Sequence, residues 1–393
     1  MPSSTDWSTQ PITRRSSLAG WRGTPRRAGA GLAAAGTVAA LAVTAAGGAP
    51  AAAAQAKSAQ DTAATTRWQI VRQVHGNGPG GDITAEAPVG KIATWVFDAG
   101  TAPTAWFRNS ARRWEQVPLP AKTAGRVVAA GASSATNVWA FTAGASRSRA
   151  LVWHGTKWTV ARSFSKQIGG AVVLARNNVW VFGQPAPSGQ RLGTWHFNGT
   201  TWTHVASGIG LEGGSGVSAG DIWAFEGTNV SQWNGAFWDP TSLASLLPAA
   251  TATSSPAIVG VEAESATSVY AIGTGGTEDD GGPLVLLHFN GTTWKKVAQG
   301  NFGAGTSPVQ QVAADGHGGL WIPMPASGAR ASFLLHYSSG KLTSVALPTG
   351  PRMINVESVA RVPGTAIMLG GGFTHAVNNP GRTVQAVVLQ FGG

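Results

Sequence analysis

The stretch His196–Val205 reads HFNGTTWTHV and returns at His288–Val297 as HFNGTTWKKV. An aromatic residue, Asn-Gly, two Thr and a Trp predict strand, tight turn, strand. Asn-Gly suits a two-residue hairpin turn because both central residues of that turn need positive φ. Looser copies recur along the chain, so the fold has to be one that uses the same hairpin many times.

A second landmark gives the count. A short apolar run follows a polar turn at Thr94–Phe97, Val138–Phe141, Val179–Phe182, Ile222–Phe225, Val269–Ile272, Leu320–Ile322 and Ala366–Leu369, which makes seven copies. Their mean spacing is about 45 residues, within the range of a four-stranded propeller blade. Each unit opens on a small-residue inner strand, such as Ala171–Leu174, and its fourth strand opens on Trp114, Trp158, Trp202, Trp238 or Trp294. The seventh unit ends at Val388–Gly393 with no fourth strand, and Thr65–Val71 (TTRWQIV) resembles Thr292–Val297 (TTWKKV). The expectation is an all-β, seven-bladed β-propeller of four-stranded antiparallel blades, with the last blade completed by the N-terminal strand. Such closure removes the sheet edge that an open stack would leave.

The N-terminus reads differently. Residues 1–54 are predicted to be an export signal, 55–64 a disordered linker, and 65–393 the propeller domain. Arg14-Arg15-Ser16-Ser17-Leu18 resembles a twin-arginine motif with Ser17 in place of the usual Phe; an uncharged Ala/Val/Leu run follows from Gly31 to Gly48, and Ala51–Ala54 offers small-residue cleavage sites. This predicts a secreted, extracellular or envelope-associated protein with no stable membrane span after cleavage. The chain of 393 residues has no Cys, so no disulfide is expected.

Charge is unevenly spread. Lys91–Arg191 carries thirteen Lys and Arg against Asp98 and Glu115, whereas Leu192–Trp294 has nine acids and no Lys or Arg. On a ring this makes one basic and one acidic side, read either as solvated faces or as a surface that orients a charged partner. There is no basic–aromatic cluster, so nucleic acid is not an expected partner.

The run Val269-Tyr270-Ala271-Ile272-Gly273, then His288-Phe289, then Trp294, resembles degenerate Kelch-type propeller repeats and the Trp-rich repeats of exported bacterial propellers. The resemblance spans about residues 65–393 and implies a fold, while leaving the function open. The copper-radical oxidases that resemble Kelch proteins need a Cys, which is absent here. The Ser-x-Asp-x-Gly-x-Thr-Trp turns of sialidases and the WD-repeat signature are also missing.

Most residue types that suggest chemistry are absorbed by the repeat. All 15 Trp beyond the signal fall on repeat positions, which points to packing between blades. His196, His288 and His336 share one position on three different blades and cannot converge on a metal. The acidic loop Thr277–Gly282 lacks the spacing of a calcium loop. Asn198, Asn229 and Asn290 head N-x-Ser/Thr triplets, two of them being the Asn-Gly turns. No catalytic triad, phosphate loop or zinc motif appears, and no cofactor or metal is expected.

What remains is a face. In a propeller, the turns joining strands one to two and three to four share one face, and here they are short and alike. The loops joining strands two to three and linking blades share the other, and here they are long and dissimilar, as binding loops on a rigid scaffold are. Those second-to-third-strand loops supply Arg147, Arg149, Arg191 and Asn229, then Arg330, His375, Asn378 and Arg382, with Asp279 and Asp280. Unit four has almost no such loop, Glu226-Gly227-Thr228, which predicts a notch. Inner strands add Glu86, Arg126, Glu262, Gln311 and Glu357, with Asp82 and Gln310, as channel-lining groups. The expected function is an exported binding module for a glycan, peptide or protein. The alternatives are a hydrolase or lyase of extracellular polymers using channel carboxylates, and a structural envelope protein.

Overall fold

The computed structural model describes residues 67–75, 81–99, 102–144, 147–184, 191–205, 210–250, 255–275, 282–302, 311–325, 331–376 and 385–392. The chain divides into two units, Met1–Ala54 and Gln55–Gly393, and all described residues belong to the second. The predicted signal and the 55–64 linker therefore lie outside the described residues.

The first strand, β1 (Gln69–His75), belongs to the last blade. Blade 1 is β2 (Ile83–Pro88), β3 (Thr94–Asp98), β4 (Ala105–Arg108) and β5 (Trp114–Val117). Blade 2 is β6 (Arg126–Ser134), β7 (Asn137–Ala143), β8 (Ser148–Trp153) and β9 (Trp158–Phe164). Blade 3 is β10 (Ile168–Ala175), β11 (Asn178–Gly183), β12 (Thr194–Phe197) and β13 (Trp202–Val205). Blade 4 is β14 (Gly213–Ser218), β15 (Asp221–Glu226), β16 (Asn229–Trp233) and β17 (Trp238–Ser242). Blade 5 is β18 (Ala257–Ser265), β19 (Ser268–Thr274), β20 (Leu284–Phe289) and β21 (Trp294–Gly300). Blade 6 is β22 (Ala313–Ala314), β23 (Leu320–Met324), β24 (Phe333–Ser338) and β25 (Lys341–Ala346). Blade 7 is β26 (Arg352–Arg361), β27 (Met368–Ala376), β28 (Gln385–Phe391) and β1, with Gln69 opposite Gln390. All pairings are antiparallel, and the N-terminal strand completes the seventh sheet as the sequence predicts. Among the described residues no helix is long and apolar enough to cross a membrane.

Second strands are covered on both sides by neighbouring blades, so they read as continuous apolar runs; β3, for example, is buried from Thr94 to Phe97. Fourth strands lie at the outer edge and are the most exposed, as in Trp114–Val117, where Glu115 and Gln116 are exposed and the two end residues are half-buried.

Six of the seven blade boundaries are closed by a pair of aromatic rings. The second-strand ring of one blade meets the fourth-strand ring of the next edge to face. The pairs are Trp95–Trp158 (5.1 Å, 87°), Trp139–Trp202 (5.9 Å, 78°), Trp180–Trp238 (5.6 Å, 85°), Trp223–Trp294 (5.8 Å, 81°) and Trp321–Trp68 (5.3 Å, 86°). Between blades 5 and 6, Tyr270–Tyr337 takes this place at 5.8 Å. Edge-to-face pairs add about 0.5–1.5 kcal/mol beyond the area they bury. At the 7/1 boundary the register puts Leu369, not Ile367, at the second-strand ring position, since Leu369 pairs with Gln390 as Trp180 pairs with His196. There the ring pair is replaced by cations: Arg72 lies 4.3 Å from the Trp106 ring and 5.2 Å from Trp114, and Arg108 donates to Gln390 (3.0 Å).

Two local expectations are corrected. The HFNGTTW turn is a four-residue loop rather than a two-residue one: Phe197 and Trp202 are the last pair, and only Gly199 has positive φ (+99°). Asn198 earns its place differently, its side-chain oxygen accepting the N–H groups of Thr200 (3.0 Å) and Thr201 (2.9 Å). The notch expected at Glu226–Thr228 is filled. The segment after β17 folds back, so that Leu243 N donates to Thr228 O (2.9 Å), Ile258 N donates to Gly227 O (2.7 Å), and Leu243 and Leu247 join the core between blades 4 and 5. A single 3-10 turn, Ala244–Leu246, lies in that segment.

Trp68 is the ring that the N-terminal strand contributes to the 6/7 boundary, and it is 3% exposed. Trp68→Ala is expected to cost about 3–5 kcal/mol in urea unfolding. Trp114→Ala is expected to cost less, because valines and Arg72, not a second indole, lie across its boundary.

Candidate functional site

The seven inner strands surround an axial channel of about 380 Å³, lined by Glu86, Glu262, Gln311, Arg361 and small residues of β6, β10 and β14. Small side chains such as Gly213, Gly214, Ser215 and Gly216 let the strands approach the axis and leave the space open.

Inside the channel two carboxyls are each held by a serine of the preceding blade. Ser358 Oγ on β26 donates to Glu86 Oε1 (2.7 Å), and Ser215 Oγ on β14 donates to Glu262 Oε2 (2.9 Å). Ala314 N also donates to Glu262 Oε1 (3.3 Å). Burial pushes Glu86 up to about 8, against the pull of the Ser358 hydrogen bond. Burial likewise pushes Glu262 up to about 7, opposed by Ser215, Ala314 and the Arg361 charge.

A second group forms at the channel mouth on the variable-loop face. Arg126, at the start of β6, is hydrogen-bonded to Glu357 of β26, and its Nη1 lies 4.0 Å from Asp82 Oδ2. Asp82 is pushed up to about 7, first by burial and then by the Glu357 carboxyl beside it, with Arg126 opposing. Gln311 reaches across the axis from blade 6 and donates to Val128 O on blade 2 (2.9 Å).

The structure thus brings Asp82, Arg126 and Glu357 together at one mouth of the channel, sends Gln311 across the axis, and sets Glu86 and Glu262 inside it. It does not gather the loop residues. Arg147 is exposed beside β8, and Arg149 on β8 donates to Ala121 O (3.2 Å). Arg191 is engaged by Gly210 O (2.6 Å), Glu226 Oε1 (2.7 Å) and Glu212 Oε1 (3.6 Å), which ties blade 3 to blade 4. Asn229 opens β16 opposite Glu226 and Ser242. His375 on β27 is buried, which lowers its pKa, with the Arg352 charge adding to the effect. Arg330, Asn378, Arg382, Asp279, Asp280 and Gln310 lie outside the described residues. Among the described residues no group of three or more His, Asp or Glu is placed to hold a metal.

The shared histidines are explained by a polar unit not apparent from the motif alone. His196 stacks on Trp180 (4.3 Å), His288 on Tyr270 (4.6 Å) and His336 on Trp321 (4.0 Å). The residue two before the second-strand ring anchors both partners: Asn178 Oδ1 accepts from Trp180 Nε1 (2.8 Å) and lies 3.0 Å from His196 Nε2. Asp221 does the same for Trp223 (3.0 Å) and Gln232 (2.9 Å). In blade 6 that position is Gly319, where a Cβ would collide with Asp315 Oδ2; Asp315 reaches in from the turn instead and contacts His336 (2.9 Å). The recurring Asn-Val-Trp, Asn-Val-Trp and Asp-Ile-Trp at 137, 178 and 221 is the signal that could have revealed it.

The sequence matches no family model and no curated protein. Solved structures resemble the fold. The chain is similar to "YCF48 bound to D1 peptide" (12% identity, TM-score 0.53, covering 83% of this chain and 97% of that one). It is also similar to U3-55K (11%, TM-score 0.54, covering 82% and 98%) and to the WD40 β-propeller domain of Doa1 (10%, TM-score 0.50, covering 82% and 96%). Fold and likeness together define a seven-bladed β-propeller.

The raised carboxyls have a thermodynamic consequence. A carboxyl whose folded pKa exceeds its unfolded value contributes stability that is complete below the unfolded value and is lost as pH rises through the folded one. That window runs from 3.8 to about 7 for Asp82, from 4.5 to about 7 for Glu262 and from 4.5 to about 8 for Glu86. The unfolding free energy from urea titration is expected to fall between pH 5 and pH 8.5, by at most about 1.4 kcal/mol per pH unit for each titrating group. Glu86→Gln, which keeps a hydrogen-bond acceptor for Ser358, is expected to flatten that dependence.

Proposed function

We infer that the protein is an exported binding module that presents its variable-loop face to a glycan, peptide or protein partner. The observation that carries this reading is the contrast between the two faces. The connections from second to third strand run from two residues (Gly227–Thr228) to ten (184–193), while four of the seven connections from first to second strand are two residues long. A scaffold that fixes one face and varies the other concentrates recognition on the varied face. Exposed Arg147 and the Arg126 site at the channel mouth both lie there. Among similar folds, the YCF48 structure holds a D1 peptide, and the same use of a propeller suits this chain. The twin-arginine-like residues Arg14-Arg15 and the apolar run after them support export, and the Val-Tyr-Ala-Ile-Gly repeat supports kinship with Kelch-like and Trp-rich exported propellers.

A second reading, hydrolysis of an extracellular polymer, is favoured by one observation: Asp82, pushed up to about 7, sits beside Glu357 at the channel mouth, where an acid and a base would be needed together.

Screening the full protein on glycan and peptide arrays tests the first reading. Arg147→Ala and Arg149→Ala are expected to weaken the strongest hit at least tenfold, and unchanged binding in both would remove the site from this face. For the second reading, polymer cleavage that vanishes in Asp82→Asn and in Glu357→Gln is the expected result.

A further inference from the structure

The opposite face carries a pattern that the loop-face reading does not use. One repeat position is the residue just before the fourth-strand ring, which in blades 1 to 6 closes the turn between the third and fourth strands. It is Arg113 in blade 1, Lys157 in blade 2, Thr201 in blade 3, Phe237 in blade 4 and Thr293 in blade 5. The same position is Lys341 in blade 6 and Arg67 in blade 7, where Trp68 takes the ring position against Phe391 (5.7 Å). The four cations fall on four consecutive blades, 6, 7, 1 and 2, and the neutral residues on the other three. All four are exposed, and none forms an ion pair among the described residues. Arg112, also exposed, adds a fifth charge in the blade 1 turn.

The ring geometry makes this a row. Fourth strands are the outermost, so these side chains lie along the outer rim of the short-turn face, one per blade. Glu115 is the one acid in the fourth strands of these four blades, and its Oε1 accepts from Asn109 Nδ2 (3.1 Å). With so little acid nearby, the row keeps a positive potential that salt screens only beyond about 10 Å at 0.1 M.

We propose that this arc binds an anionic polysaccharide. The charges are separate and follow a curve, so they fit a flexible chain with repeated anionic groups better than a compact ligand. A nucleic acid fits worse, because single strands need exposed rings to stack on. Here the ring after each cation is withheld: Trp68 and Trp158 are buried in blade boundaries, Trp114 lies beside Arg72, and blade 6 has Leu342. The inference is independent of the loop-face reading, since the two sets of residues lie on opposite faces.

The test uses the full protein and polygalacturonate, with polyphosphate, duplex DNA and neutral dextran in parallel, over a series of NaCl concentrations. The variant Arg67→Gln/Arg113→Gln/Lys157→Gln/Lys341→Gln removes the arc. The variant Lys122→Gln/Lys166→Gln/Arg176→Gln/Lys296→Gln removes equal charge elsewhere. The arc variant is expected to bind polygalacturonate at least tenfold more weakly, with a shallower salt dependence and an unchanged thermal midpoint; the control is expected to change less than twofold. Arg113→Gln and Lys157→Gln singly should each lose about two- to threefold by the same counterion logic. Equal losses in the two quadruple variants would reduce the effect to net charge and overturn the proposal. So would absence of polygalacturonate binding at low salt, or tighter binding of DNA or polyphosphate than of polygalacturonate.

Discussion

The edge-to-face indole pair found at five of the seven blade boundaries is the contact on which the ring depends. Blades touch through their flat faces, and a closed ring has no terminal cap to hold an unpaired face. Each boundary must therefore be stable by itself, and at those five two large rings, one from a second strand and one from the next blade's fourth strand, meet that need. The arrangement accounts for both Trp positions in the repeat at once. It also accounts for the borrowed strand: without β1, Trp321 would lose Trp68 and blade 6 would present a bare aromatic face.

The 7/1 boundary follows other rules. Its outer part rests on Arg72 over Trp106 and on Arg108 with Gln390, and its inner part on Ser358 with Glu86. A cation over an indole contributes about 0.5–2 kcal/mol depending on how far it is desolvated. A buried carboxyl contributes only while it keeps its proton or its partners. Its contacts differ in sequence separation: Arg108 with Gln390 spans 282 residues and Ser358 with Glu86 spans 272, whereas Arg72 on the borrowed N-terminal strand meets rings of the blade that follows it directly in the chain. A buried carboxyl is not confined to this boundary, since Glu262 with Ser215 spans the one between blades 4 and 5.

How much of this was legible follows from periodicity. The blade number, the order of strands and the closure by the strand that follows Trp68 could be read because apolar runs and Trp recur at fixed offsets, and packing between blades demands the same residue at the same place. The seventh unit misled by two residues because, with no ring to mark the position, Ile367 and Leu369 are equivalent in composition and only pairing with Gln390 separates them. The turn geometry was misread because Asn-Gly has two uses, and a side-chain cap by Asn198 leaves no different trace in sequence from a two-residue hairpin turn. In the candidate site, Glu86, Glu262 and Glu357 could be placed on inner strands, but not their partners. Ser215 and Ser358 come from the neighbouring blade, and nothing in a linear pattern states which inner-strand serine faces which glutamate across a boundary.

The two faces of the ring record different kinds of freedom. On the loop face the backbone itself varies, so any recognition there depends on loop shape as well as on residue type. On the short-turn face the backbone is held by the repeat: Asn198, Asn234 and Asn290 each accept the same two turn N–H groups, and the glycine after each has positive φ. Those capped turns belong to blades 3, 4 and 5; the cationic blades connect differently, through Asn109–Arg113 in blade 1 and Ser339–Gly340 in blade 6, and in blade 7 no turn joins the third strand to the fourth. What keeps the row at the blade interval is the fourth strand itself, whose first ring or leucine packs toward the neighbouring blade. The residue before it therefore stands on the outer rim whatever turn precedes it, and its side chain alone decides the charge.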